Sequence, residues 1–323
     1  MTAVLAASVV VLAGCGSPGS SGGGSSSSAN QRFTIVAPSS PGSGYDQTAR
    51  AMQQTLKEAD LATRVEVKTV DGAGGTIALS QFTQKKGTSE LMLGGLALVG
   101  ATVTNKSPNT LADLTPVARM IGEYEAIVVP ADSKFQDLKS LLAALNKDPG
   151  SVPVAIGNQG GVDHIWGGKL AETAGVKPTD VNFVTFSGGG EALVALLGGK
   201  VAAGISGYAE FADQIEAGKL RVLAVSSAKP LEVAPDAPTI VDAGLPDAEF
   251  VNWRGIFAPP GISDKDLKAL TDKFADLNKS SGWKKARKTN GWTDEFLDNK
   301  EFKKDLAEQQ KTTEKTLKDL GLA

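Results

Sequence analysis

Four glycine-rich turns, each set between a β-branched run and a helical pattern, constrain this chain more than any other feature: Pro41-Gly42-Ser43-Gly44, Gly72-Ala73-Gly74-Gly75, Gly160-Gly161 and Ser187-Gly188-Gly189-Gly190. Short strands alternating with helices build βαβ units and a mainly parallel sheet, so the expected fold class is α/β. Residues 33–37 read as a strand, as do 65–70, 91–93 and 126–129, and Ala49, Met52, Gln53 and Leu56 recur at helical spacing after the first turn. A second series begins near Lys134, where Leu138, Leu141, Leu142 and Leu145 mark a helix that stops before Pro149 and Gly150. Strands are expected at 152–156, 181–186, 201–205 and 220–225. After a strand at 253–257 the chain reads as helical to its end, with Leu267, Leu270, Phe274 and Leu277 on one face.

A turn that leads from the C-terminal end of a parallel strand into a helix exposes backbone N–H groups, with the positive end of the helix dipole behind them. That arrangement favours an anion. Glycine lets the backbone approach closely, and neighbouring serine hydroxyls add donors. Two such turns from each of two domains would grip an anion at both ends. A nucleotide fits poorly. The chain has no Gly-x-x-x-x-Gly-Lys-Ser/Thr run, and none of the turns continues as Gly-x-Gly-x-x-Gly with a downstream acidic partner.

The chain has 323 residues, 41% of them hydrophobic, enough for two domains with a core each. Its formal net charge of -3 leaves no basic excess for nucleic acid. The apolar start ends in Leu12-Ala13-Gly14-Cys15, too short to span a bilayer and shaped like an export segment with a small-residue cleavage site. Those four residues resemble the bacterial lipobox, which makes Cys15 the expected lipidation site. No Lys or Arg precedes the apolar run, so the natural start is expected upstream. Residues 16–31 are almost purely Gly and Ser and read as a flexible tether.

Catalysis finds little support. His164 is the only histidine, Gly204-Ile205-Ser206-Gly207-Tyr208 lacks the final glycine of a nucleophile elbow, and the only cysteine lies in the export segment. His164 is expected to line a cleft rim or cap a helix. Glu123 and Glu125 read as solvated surface, and neither a metal nor a cofactor is expected. Trp253 and Arg254 could meet a ligand by stacking or ion pairing, or could belong to a packed hinge strand.

At these turns the sequence resembles the extracytoplasmic receptors of tripartite tricarboxylate transporters, the Bug or TctC family. APSSPGSGYDQTAR, from Ala37 to Arg50, resembles the family's Pro-Gly-Gly-x-x-Asp-x-x-Ala-Arg signature, with Ser43 in place of the second glycine. Further matches are DGAGGTIALSQF, GGVDH, TFSGGGEALVALLGGKVAAGISGY, GKLRVLAVSSAKP, DAPTIVDAGLP and NWRGIFAPPG. The resemblance implies a two-domain type II periplasmic-binding fold, with 32–131 and 251–323 as lobe 1, 132–250 as lobe 2, and the ligand between the lobes, while residues 1–15 read as the signal peptide from their own pattern. It implies a non-enzymatic receptor that captures a small carboxylate for the transporter's membrane subunits, and with the lipobox at Cys15 the expected form is a lipid-anchored monomer at the cell membrane. The alternative is a receptor feeding a two-component sensor.

Carried over position by position, the resemblance implies one binding loop at Ser39, Ser40, Gly42, Ser43, Gly44, Tyr45 and Asp46, and a facing loop at Gly72, Ala73, Gly74, Gly75 and Thr76. On the second lobe it implies Gly160, Gly161 and Asp163, then Ser187, Gly188 and Gly189. Ser206, Gly207 and Tyr208 would read the ligand's distal part. Asp46 is equally readable as a carboxylate complementing the start of its helix.

Overall fold

The computed structural model describes residues 32–186 and 189–323. Cys15, the export segment, the tether, Ser187 and Gly188 lie outside the described residues. The chain begins with β1 (Arg32–Ala37), α1 (Gly44–Glu58), β2 (Arg64–Thr69), α2 (Thr76–Phe82), β3 (Glu90–Gly95) and α3 (Leu96–Thr104). Then β4 (Thr115–Glu123) and β5 (Glu125–Pro130) are separated by Tyr124 alone, and there the chain passes from one sheet to the other. β5 thus belongs to the second sheet, although the expected boundary leaves it in the first lobe.

The second series runs α4 (Leu138–Lys147), β6 (Val154–Ile156), α5 (Val162–Thr173), β7 (Phe183–Thr185), α6 (Gly189–Leu197), β8 (Ala203–Gly207), α7 (Tyr208–Glu216) and β9 (Leu220–Val225). The chain returns to the first sheet as β10 (Asn252–Ala258) and finishes with α8 (Asp264–Lys279), α9 (Ser281–Thr289), β11 (Thr293–Leu297) and α10 (Asn299–Asp319).

The strand orders are β11-β4-β10-β3-β1-β2 and β7-β6-β8-β5-β9. Both sheets are mixed rather than mainly parallel. β1 is parallel to β2 and β3, and β6 to β7 and β8, but β10 runs antiparallel to β3 and β4, and β5 to β8 and β9. The reason is the crossing: a chain that leaves one sheet and re-enters it after a whole domain comes back in the opposite direction. The expectation of helix to the C-terminus also fails at β11, which adds to the edge of β4.

Each sheet has its own apolar core. In the first, Phe302 packs edge-on to Trp253 at 5.4 Å and against Phe257 at 5.2 Å, all three rings fully buried. Gly255 leaves room for that ring, since a Cβ there would lie 2.5 Å from Phe302. In the second, Trp166 is buried and its Nε1 donates to the Ala248 carbonyl at 3.0 Å. α10 joins the two, because Leu317 and Leu320 near its end pack on Ile165 of α5.

Ser226 ties the two crossing segments together. Its hydroxyl accepts from the Glu125 N–H at 3.0 Å and donates to the Phe250 carbonyl at 2.7 Å. Its own N–H and C=O pair with the backbone of Glu125 and Phe250. The strand ends therefore leave a common, fully hydrogen-bonded hinge.

Candidate ligand cleft

The C-terminal ends of β1, β2 and β3 on one sheet, and of β6, β7 and β8 on the other, each feed a helix. In open α/β sheets ligands gather at such ends. The two edges meet directly. A Cβ on Gly100 of α3 would lie 2.8 Å from the Gly160 carbonyl, and one on Gly160 would lie 2.6 Å from Thr104 Cγ2. The turn after β6 therefore rests on the helix after β3.

On the first lobe, Gly42 has φ +83° and its N–H donates to Asp46 Oδ2 at 2.8 Å. Arg50 Nε donates to the same oxygen at 2.9 Å, and this bond, ahead of the Gly42 N–H, holds the buried carboxyl below its ordinary range. Asp46 closes its own turn. The Ser39 and Ser43 hydroxyls hydrogen-bond to each other beside it. Tyr45 is buried, and its oxygen accepts the Leu98 N–H at 3.3 Å, so it fastens α1 to the start of α3; burial pushes its hydroxyl up to about 12. Arg254 lies against Gly44, where a Cβ would be 2.5 Å from Nη2, and donates to Glu123 Oε2 at 2.6 Å and Thr48 Oγ1 at 3.3 Å.

The second turn carries four successive positive φ angles, at Gly72, Ala73, Gly74 and Gly75. Such a run needs glycine at most positions. Gly75 also admits Pro38, whose carbonyl would be 2.8 Å from an added Cβ, so the second turn packs against the chain just after β1. Asn105 Nδ2 donates to the Ala73 carbonyl at 2.8 Å, and the Thr76 hydroxyl to the same carbonyl at 2.9 Å.

On the second lobe the third turn is closed from within. The Gly160 N–H donates to His164 Nδ1 at 3.1 Å, the Gly161 N–H to the Asn158 carbonyl, and the Gly157 N–H to Asp163 Oδ2 at 2.8 Å. The amides of Gly160 and Gly161 are thus occupied within the turn. His164 is buried at 6% exposure, edge-on to Phe183, with its pKa lowered to about 4 by desolvation. It caps the turn rather than lining a rim. Gly189 opens α6, and Ser206 and Gly207 end β8 before Tyr208, whose N–H donates to the Tyr124 carbonyl at 3.0 Å.

Glu125 is 1% exposed, which corrects the expectation that Glu123 and Glu125 are solvated surface. Glu125 sits within hydrogen-bonding reach of Asp163, and desolvation first, then repulsion from Asp163, Glu123 and Glu210, raises its pKa well above the carboxylate range. Asp163 is raised too, by desolvation. Glu210, at the start of α7, is held up to about 7 by desolvation and by repulsion from Asp163 and Glu123, although the Ser206 hydroxyl lowers it. Glu123 is half-buried and bonded on both oxygens, to Arg254 and to Trp292 Nε1 at 2.8 Å. Sequence reasoning missed Glu125 and Glu210, and also the strand end at Gly95. Trp253 and Arg254 belong to the packed hinge strand; Trp253 is fully buried.

Among the described residues no group of His, Cys, Asp or Glu is arranged to hold a metal ion, and no helix is long and apolar enough to cross a membrane. A crevice of about 360 Å³ lined in part by Lys169, Glu249, Phe250 and Glu308 contains none of the turn residues.

Residues 48–322 match the family model described as the tripartite tricarboxylate transporter family receptor. The chain belongs to that family. The receptor is 29% identical over 243 residues to protein BugT of Bordetella pertussis, covering 73% of each chain. It superposes with a TM-score of 0.76 on a TctC solute-binding protein from Polaromonas, at 22% identity over 89% of this chain and 98% of that one. With MatC from Rhodopseudomonas palustris, solved with bound malate, the TM-score is 0.72 at 23% identity, covering 89% and 99%. This is the two-lobed α/β fold of periplasmic binding proteins, and the family makes the chain a solute-binding receptor rather than an enzyme.

Proposed function

We propose that this receptor is an extracytoplasmic, lipid-anchored protein that captures a small carboxylate between its lobes and delivers it to the membrane subunits of a tripartite tricarboxylate transporter. The observation that carries this reading is the contact between the two lobes at Gly100 and Gly160, beside strand ends that each lead into a helix. Helix starts favour negative charge. The malate bound by MatC, a protein of the same fold, supports the ligand class. Ser39 to Asp46, Gly72 to Thr76, Gly189 and Ser206 to Tyr208 would line the ligand. Leu12-Ala13-Gly14-Cys15 supports the anchor at Cys15.

A thermal-shift panel of citrate, tricarballylate, succinate, malate, glutamate and benzoate-type acids tests the function. A true ligand at about a hundred times its dissociation constant stabilises by about 2.7 kcal/mol. Stabilisation by none of these acids contradicts the reading. For the anchor, Cys15→Ser in the producing cell should release the receptor from the membrane fraction; unchanged retention would remove Cys15.

A further inference from the structure

The strand ends of the two sheets differ in charge. On the first lobe, Arg50 and Arg254 stand beside the turns, each paired with one carboxylate. On the second, Glu125, Asp163 and Glu210 come together around the end of β8, with Ser206 within hydrogen-bonding reach of Asp163 and Glu210. Among the described residues none of these three carboxyls is in an ion pair. Glu125 is 1% exposed and its Oε2 receives no hydrogen bond. Burying a carboxyl in that condition is costly unless a donor or a proton reaches it. Glu210 is exposed to solvent at the start of α7, and Asp163 is half-buried beside it. The cluster therefore runs from the interior to solvent at the end of β8.

A ligand held by its carboxylate on the first lobe presents its other end to this cluster. A second carboxylate there would add negative charge to carboxyls that already repel one another, whereas an ammonium would relieve that repulsion and meet acceptors that have no cation of their own. We propose that Glu125, Asp163 and Glu210 are specificity-determining residues that favour a monocarboxylate with a cationic, hydrogen-bond-donating far end and discriminate against dicarboxylates. Glu210 and Asp163 act directly on that end, and Glu125 acts behind Asp163. The inference rests on the carboxylate-receptor reading and narrows its ligand class.

The test is calorimetric titration of the whole receptor near neutral pH with matched acids, from propionate length to suberate length. Each length is offered as the monoacid, the α,ω-diacid and the ω-amino acid. The best-fitting amino acid should bind at least about tenfold tighter than the diacid of its length, a difference of about 1.4 kcal/mol. Glu210→Gln, at an exposed position, should cut that preference about threefold or more, and Asp163→Asn should cut it further if the variant folds. A diacid that binds as tightly as the amino acid, or a preference unchanged in Glu210→Gln, overturns this inference while leaving the carboxylate reading intact. Binding of no acid in the series overturns both.

Discussion

At the scale of single residues, two aspartates do the same work on opposite lobes. Asp46 and Asp163 each lie in the first turn of a helix and accept an N–H from the preceding glycine turn, Gly42 and Gly157. Of the two readings of Asp46, the helix-start role is the one its contacts describe. His164 does related work as a neutral acceptor. Its folded pKa, about 4, lies below the ordinary 6.5, so the unfolded chain binds more protons between those values and the fold loses stability as pH falls through them. The stability gap between wild type and His164→Asn should therefore shrink as the pH drops from 6.5 to 4, by on the order of 2 kcal/mol. Urea titrations showing a constant gap would mean that the fold does not lower the ring's pKa. Arg254→Met should cost about 3 kcal/mol, because it strands Glu123 in a half-buried site. Adding Glu123→Gln should recover part of that loss; no recovery would place the role of Arg254 in its packing on Tyr45 and Gly44.

At the scale of elements, the glycine turns were legible because a strand followed by a positive-φ turn leaves a direct compositional trace. β4 was not. Arg119 interrupts its apolar run, and the structure explains the interruption: the guanidinium is buried and held by Glu295 at 2.8 Å and Asp305 at 3.1 Å. β11 was missed because it is a polar edge strand, TDEFL, whose charges face outward or toward that arginine. Glu125 was misread for a related reason, since a carboxylate inside a strand reads as surface until its neighbours are known. The glycines themselves divide by cause. At Gly74 a Cβ would meet Ala101 Cβ at 2.7 Å with φ at +62°, so substitution there disturbs packing first. Gly160→Ala should cost about 1–3 kcal/mol, through its φ of +71° and its approach to Thr104. Adding Thr104→Ser removes the crowding methyl and should restore part of the loss. Denaturation midpoints that do not respond to the second change would assign the whole cost to backbone strain.

At the scale of the molecule, the chain order explains the shape. Two crossings, at Tyr124 and through 226–251, place a complete second sheet inside the first domain's sequence, and Ser226 fastens the crossings side by side. Ser226→Ala leaves the buried Glu125 N–H without its acceptor and should destabilise the receptor by about 1–3 kcal/mol. A loss near zero by chemical denaturation would mean that the hinge holds through its backbone pairs alone. The overall α/β architecture and the order of the glycine turns were readable from the sequence, because both follow from local pattern. The acidic second-lobe edge was not, because Glu125, Asp163 and Glu210 are distant in the chain and meet only through the topology of β5, β6 and β8.

The central claim is that strand-end turns of both lobes enclose one carboxylate. Hydrogen-exchange mapping of the receptor with and without its best-binding acid tests this most directly. The account predicts ligand-dependent protection at 39–46, 72–76 and 206–208, on both lobes together. Protection confined to one lobe, or centred on the crevice between α5 and α10, would contradict it.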